Sequence, residues 1–282
     1  MTSSYVAADD LPAETLPAAP QPTPAPPKRG ISKGALSALS TIGLIAAFIA
    51  ICEIGVRAGL WNESVLPAPS TIFAELATQM ALPQFWDDAA RTGVEVAVSL
   101  VFGALLGLLA GLTFWKLPYI GRIFEPYLVS FYAVPLVLFY PVMIVLVGIN
   151  AMSVIILATI MAAIPMALNT TVGLKGMRPV YMKLARSLNA SPRQVLFSVA
   201  IPAAGPFIVA GLRLAVVYAL IGTIAMEFTT AQAGLGYRIR YLYETFDNTA
   251  MFAYIVVVLL FSCLLTVLLA LVERVLLKGR NL

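Results

Sequence analysis

Histidine is absent from this 282-residue chain, which holds only two cysteines and 14 acidic residues. Without histidine the chain lacks the commonest general base and a frequent zinc ligand, so hydrolytic and metalloenzyme readings start without their usual parts. Cys52 and Cys263 both fall inside apolar runs and read as small buried hydrophobes, neither a disulfide framework nor a metal pair. No G-x-x-x-x-G-K-[ST] segment occurs, so the chain has no phosphate-cradling loop of its own. Charge is scarce as well: 11% of residues are charged, against roughly 25% in soluble domains. Neither an enzyme nor a resident cofactor or metal is expected, and no nucleic-acid partner.

What the chain does have is apolar length. Hydrophobic residues make up 60% of it and the mean hydropathy is +0.91. Apolar runs near 35–58, 94–114, 124–147, 151–173, 204–227 and 250–273 are each about 20 residues or more, enough to cross a hydrocarbon core of roughly 30 Å. An all-α integral membrane protein with six spans follows, its membrane domain covering residues 35–282. Residues 1–34 carry no apolar segment of a signal peptide in their first 30 positions, and their Pro/Ala-rich composition predicts a disordered tail.

Orientation follows from the basic residues, which collect on cytoplasmic flanks. With both termini inside, the tail contributes Lys28, Arg29 and Lys33, and the turn between spans two and three Lys116 and Arg122. The loop between spans four and five contributes Lys175, Arg178, Lys183, Arg186 and Arg193, and the C-terminus Arg274, Lys278 and Arg280. Only Arg57, Arg91, Arg213, Arg238 and Arg240 remain, which predicts a multi-pass protein of the plasma membrane with cytoplasmic termini. On the outer side, Ser70 or Thr71 is placed to cap a short surface helix running through Trp86.

The loop at 176–200 is built with unusual care. Pro179 suits the first position of a helix, and Val180, Leu184 and Leu188 then recur on one face while Lys183 and Arg186 fall on another. Asn189 tolerates the left-handed backbone that ends such a helix. A second helix starts with Ser191 as N-cap, Pro192 at the first position and Gln194 completing a capping box; Pro202 is expected to close it. Such a basic loop can simply obey the positive-inside rule, or rest on anionic lipid at about 1 kcal/mol per Lys or Arg. Lipid attraction, however, requires no capped two-helix construction.

Here the sequence resembles the permease subunits of binding-protein-dependent ABC importers, whose cytoplasmic loop carries E-A-A-x-x-x-G-x9-I-x-L-P. Lys183-Leu184-Ala185-Arg186-Ser187-Leu188-Asn189 stands at the first part and Val199-Ala200-Ile201-Pro202 at the second. Ala185 and Pro202 match outright, whereas Lys183, Leu184 and Asn189 replace the acidic residue, the first alanine and the glycine. Leu66-Pro67-Ala68-Pro69, Glu125-Pro126, Gly148-Ile149-Asn150, Gly211-Leu212-Arg213 and Gly234-Leu235-Gly236-Tyr237 are similar to the nitrate, sulfonate, taurine and bicarbonate branch. The resemblance implies a six-span type I importer permease fold that takes a small anionic, sulfonate- or nitrate-like solute into the cytoplasm. It also implies a second permease subunit, an external solute-binding protein, and cytoplasmic ATPases that bind ATP. Lys183, Leu184, Ala185, Arg186, Asn189, Ser191, Arg193, Ile201 and Pro202 would couple to the ATPase, where Lys183 favours an acidic or neutral counterpart.

Within the spans, Gly103, Gly107 and Gly111 form a small-residue face for close helix approach, either inside one subunit or between two. Pro135, Pro141 and Pro165 are expected to kink spans three and four. Arg213, near the middle of span five, must face protein or water, as a structural ion pair or as a contact for an anion in the translocation path. Glu227, about 21 Å further along the same helix, is out of reach as its partner and is a second candidate for the path. Glu53 and Arg57 can satisfy each other at i, i+4, and Glu95 is expected to stay solvated near the outer surface. An ion-coupled secondary transporter using Arg213, Glu227 and Glu53 is the alternative, although no inverted repeat relates the two halves. A cytoplasm-specific reporter fused at Asp88 is expected to be inactive; activity there would invert the topology.

Overall fold

The computed structural model describes residues 33–276, and every regular element among them is a helix. The chain divides into two compact units, residues 1–48 and 49–282. Of the first, the described part is the opening of α1 (Lys33–Arg57), an apolar helix whose Leu39, Ile42, Leu44 and Phe48 are exposed, as side chains meeting lipid would be. The expected tail lies outside the described residues except for Lys33 and Gly34, which already belong to α1. Lys278 and Arg280 lie outside them too.

In the second unit, proline opens five of the helices: α2 (Pro69–Met80), α3 (Pro83–Lys116), α4 (Pro118–Ala133), α7 (Pro179–Ser187) and α8 (Pro192–Gln194). The first position of a helix needs no N–H donor, so proline starts helices without loss there. The remaining helices are α5 (Tyr140–Val147), α6 (Ala151–Lys175), α9 (Ile201–Thr230), α10 (Leu235–Glu244) and α11 (Asn248–Leu276). A 3-10 turn, Leu136–Phe139, precedes α5, and a π-helical turn, Val195–Ala200, joins α8 to α9.

Among the described residues, five helical stretches are long and apolar enough to cross a membrane, and α4 with the 136–147 segment makes a sixth only as a bent pair. The third span is therefore not the single kinked helix expected over 124–147. It breaks at Val134-Pro135 with a 93° bend, because Pro135 cannot donate into the preceding turn. Pro141 falls in the first turn of α5, and α6 continues through Pro165 without interruption. The surface helix also differs from expectation. It ends at Met80, and neither Ser70 nor Thr71 caps it, since Ala68 occupies that position. Ser70 instead donates through both N–H (3.0 Å) and hydroxyl (2.8 Å) to Glu53, which also pairs with Arg57 at 2.6 Å.

The core of this unit is α6, packed along α3 on one side and α9 on the other. Small residues permit the approach: Ala162, Met166, Ala215 and Ala219 form one buried cluster between α6 and α9. On α3, a Cβ at Gly103, Gly107 or Gly111 would lie 2.6, 2.5 or 2.6 Å from Ala162 Cβ, Ala163 O or Thr170 Cβ. The glycine face thus serves packing within the subunit. At the start of α6, Asn150 accepts from the N–H groups of Met152 and Ser153, and at its end Lys175 pairs with Glu125 of α4 at 2.6 Å. Gly107→Val is expected to lower stability in detergent by about 1–3 kcal/mol through overpacking. Gly93→Ala, with nothing within 4 Å of its new methyl, should leave stability in the same unfolding measurement unchanged or slightly raised.

Candidate functional site

The 176–200 segment forms a stiff elbow between α6 and α9. Helix α7 starts at Pro179 and ends before Asn189, whose φ of 50° turns the chain in the left-handed region. Both bonds of the capping box are present: Gln194 N–H donates to the Ser191 hydroxyl at 3.4 Å, and Ser191 N–H to the Gln194 carboxamide at 2.8 Å. The turn is thus set by local chemistry on both sides.

Pro202 does not close the second helix. The π turn ends with Ile201 N–H donating to Leu196 O, and Pro202 follows it directly, its missing donor falling where the winding changes from π to α. Residues 192–229 therefore read as one helical stretch that carries the elbow directly into span five. Its base is seated by Leu174, Ala200 and Ala204 packed with Leu112, Trp115, Met177 and Ile208. A cleft of about 430 Å³ lined by Trp115, Lys116, Ala190, Pro192 and Val195 opens beside it.

Of the residues assigned to the loop, Ala185 is buried and holds α7 in place. Lys183, Leu184, Arg186, Asn189, Ser191 and Arg193 are exposed, Ile201 and Pro202 half-buried. The apolar face of α7 points outward rather than into the chain: Leu184 is 57% and Leu188 71% exposed, and Phe197 is 65% exposed across the turn. Lys183, Arg186 and Arg193 surround this face, and the segment 175–200 contains no acidic residue.

Arg213 and Glu227 sit apart. Arg213 Nη2 reaches Glu273 Oε2 of α11 at 2.6 Å, a pair on the outside of the subunit with the Arg213 side chain 61% exposed. Glu227 is completely buried at the end of α9 away from the loop. There it belongs to a polar clasp among three helices. The Thr92 hydroxyl of α3 donates to the Glu227 carboxylate at 2.7 Å and accepts from Leu235 N–H at 2.8 Å. Gly236 N–H donates to Glu227 at 2.9 Å. Asp88 of α3 accepts from Gly234 N–H at 3.1 Å and pairs with Arg238 at 2.8 Å.

The first amides of α10 are thus answered by side chains from α3 and α9, which satisfies donors that a helix start otherwise leaves open. Gly234, at φ 105°, admits no other residue comfortably, since a Cβ there would lie 2.2 Å from Glu227 Oε1. Glu95 is not solvated as expected: it is buried next to this clasp and pairs with Arg91 at 2.5 Å. Asp88, Thr92 and Arg238 escaped the sequence reading. A signal was available, because Asp88, Thr92, Glu95 and Ser99 recur every three or four residues on the same buried face of α3 as the three glycines.

Comparison with known proteins agrees with this architecture. A chain of the MetNI methionine ABC transporter, solved in an inward-facing conformation, superposes with a TM-score of 0.57 at 22% identity, covering 66% of this chain and 93% of its own. The fold is therefore that of a type I importer permease. The formylaminopyrimidine transport permease ThiX of Halalkalibacterium halodurans is 28% identical over 252 residues, 88% of this chain and 99% of ThiX. The taurine transport permease TauC of Escherichia coli is 27% identical over 240 residues, 83% and 87% of the two chains. The putative aliphatic sulfonates permease SsuC of Bacillus subtilis is 28% identical over 238 residues, 84% and 86%. With residues 103–278 matching the profile described as the binding-protein-dependent transport system inner membrane component, the chain belongs to that family of multi-pass ABC importer permeases.

Proposed function

We propose that this permease subunit carries a small anionic solute of the sulfonate or nitrate class into the cytoplasm, powered by ATP hydrolysis on separate ATPase subunits. Two copies of the chain form the pore, and an external solute-binding protein delivers the substrate. Both termini and the 176–200 elbow face the cytoplasm, in keeping with the thirteen basic residues on those segments. The relatives named for taurine and aliphatic sulfonates favour an anionic cargo.

One observation carries the coupling assignment: a rigid elbow turns an apolar face, Leu184, Leu188 and Phe197, outward among cations. A core helix would bury that face, whereas an interface with a protein is enriched in aromatic residues and arginine, here Phe197, Arg186 and Arg193. Lys183, Arg186 and Arg193 grip the ATPase, while Ala185, Asn189 and Ser191 hold the elbow in the geometry that fits it. Because the elbow runs unbroken into α9, a displacement of the ATPase tilts span five rather than bending a loose loop. ATP binds the ATPase alone.

Arg213→Ala leaves Glu273 without its cation, so transport by that variant should fall, while Arg213→Gln with Glu273→Gln should restore it; failure of the double variant to recover, with assembly intact, would assign Arg213 to the solute. In the elbow, Arg186→Ala and Arg193→Ala should each weaken ATPase association by about 1–2 kcal/mol. Deletion of 183–199 should abolish co-purification while membrane insertion persists. Unchanged co-purification after the deletion, with the segment protected by lipid vesicles instead, would refute the coupling role.

A further inference from the structure

Helix α9 has one end at the elbow and the other at the clasp. It leaves the elbow at Ile201 and brings Glu227 into the clasp about 39 Å further along the helix. At that far end α10 is bolted to it twice. Gly236 N–H donates to Glu227, and Arg240 donates to the carbonyls of Thr229 and, at 3.0 Å, Ala231, where a cation suits the helix terminus. Helix α10 is bolted to α3 as well, through Asp88 with Arg238 and Gly234 and through Thr92 with Leu235.

One hydroxyl joins all three helices: Thr92 gives its proton to Glu227 and takes the N–H of Leu235. Thr92 and Glu227 are both completely buried, so water cannot replace either bond. Residues Tyr237 and Tyr241 hold the Arg238 guanidinium over their rings, 5.8 and 5.6 Å from the centroids, which keeps it aimed at Asp88. Nothing in the coupling of an elbow to an ATPase requires a joint of this kind at the opposite end of the bundle.

We propose that this clasp is the joint through which a displacement of the elbow, carried along α9, reaches α10 and moves it as the lip of the opposite mouth. Thr92, Glu227, Asp88 and Arg238 are then positioning residues of transport. They act by making α9, α10 and the start of α3 one body. The inference rests on the coupling role of the elbow, and it adds where the stroke is delivered.

The test uses the full chain reconstituted with its ATPase, with Cys52 and Cys263 replaced by alanine and Tyr243→Cys as a reporter on the exposed side of α10. The rate of labelling by a membrane-impermeant maleimide is compared without and with a non-hydrolysable ATP analogue. A nucleotide-dependent change in rate is expected in this background and with Thr92→Ser, which keeps the hydroxyl. Thr92→Val, which removes donor and acceptor at nearly constant volume, should lose the change while ATPase association and hydrolysis persist. If Thr92→Val fails to assemble, the neutral pair Asp88→Asn with Arg238→Gln takes its place and should lose the change likewise. A nucleotide response retained in the clasp variants, its absence from the parent despite ATPase binding, or failure of both variants to assemble overturns the proposal. A parent that does not bind the ATPase would refute the coupling role itself, which separates the two failures.

Discussion

Burying carboxylates among helices that cross an apolar phase is tolerable only where donors from other segments reach them, and the Thr92, Glu227 and Gly236 arrangement meets that condition. Glu227 is held by a hydroxyl and an amide in place of a cation. Those donors come from α3 and α10, so its position depends on all three helices meeting in one register. The turn at Gly234 exists in a conformation that only glycine takes easily, and the helix that follows has its first amides committed before it begins. Loss of any single member leaves another buried group unanswered, which is the expensive outcome in a low-dielectric interior.

Four other carboxylates are answered by cations instead. Arg91 answers Glu95, Arg57 answers Glu53, Lys175 answers Glu125 and Arg213 answers Glu273. Two of these pairs link distant segments and so help fix which helices are neighbours. The elbow differs, since no acidic residue lies within 176–200 beside Lys183, Arg186 and Arg193, and its leucines have no apolar cover. A surface that satisfies neither its charge nor its apolar area within the chain is suited to being completed by a partner.

Helix packing supplies the mechanical continuity between these regions. Glycines on α3 and alanines on α6 and α9 let three backbones approach closely, giving a slab with little room to shear. The π turn at Val195–Ala200 places the register change within the elbow, and α9 continues as a helix from Ile201 to Thr230. Pro202, which looks like a terminator, follows that π turn and lies within the continuous helical stretch Pro192–Thr229.

The order of residues along the chain settles whatever depends on local chemistry or on apolar length. The spans, the start of α7 at Pro179, the turn at Asn189, the capping box at Ser191 and the Glu53–Arg57 pair all involve residues within a few positions of one another. It also determined that Gly103, Gly107 and Gly111 would meet another helix, because a face without side chains has that use wherever it occurs. The folded arrangement adds which helix fills that face, that Pro202 continues a helix instead of ending one, and that span three bends by 93° at Pro135. The clasp was decided there too: Thr92 and Glu227 lie 135 residues apart, and Asp88 and Arg238 150. A polar residue in an apolar helix announces that it needs a partner, but the partner's identity is a property of how the helices pack.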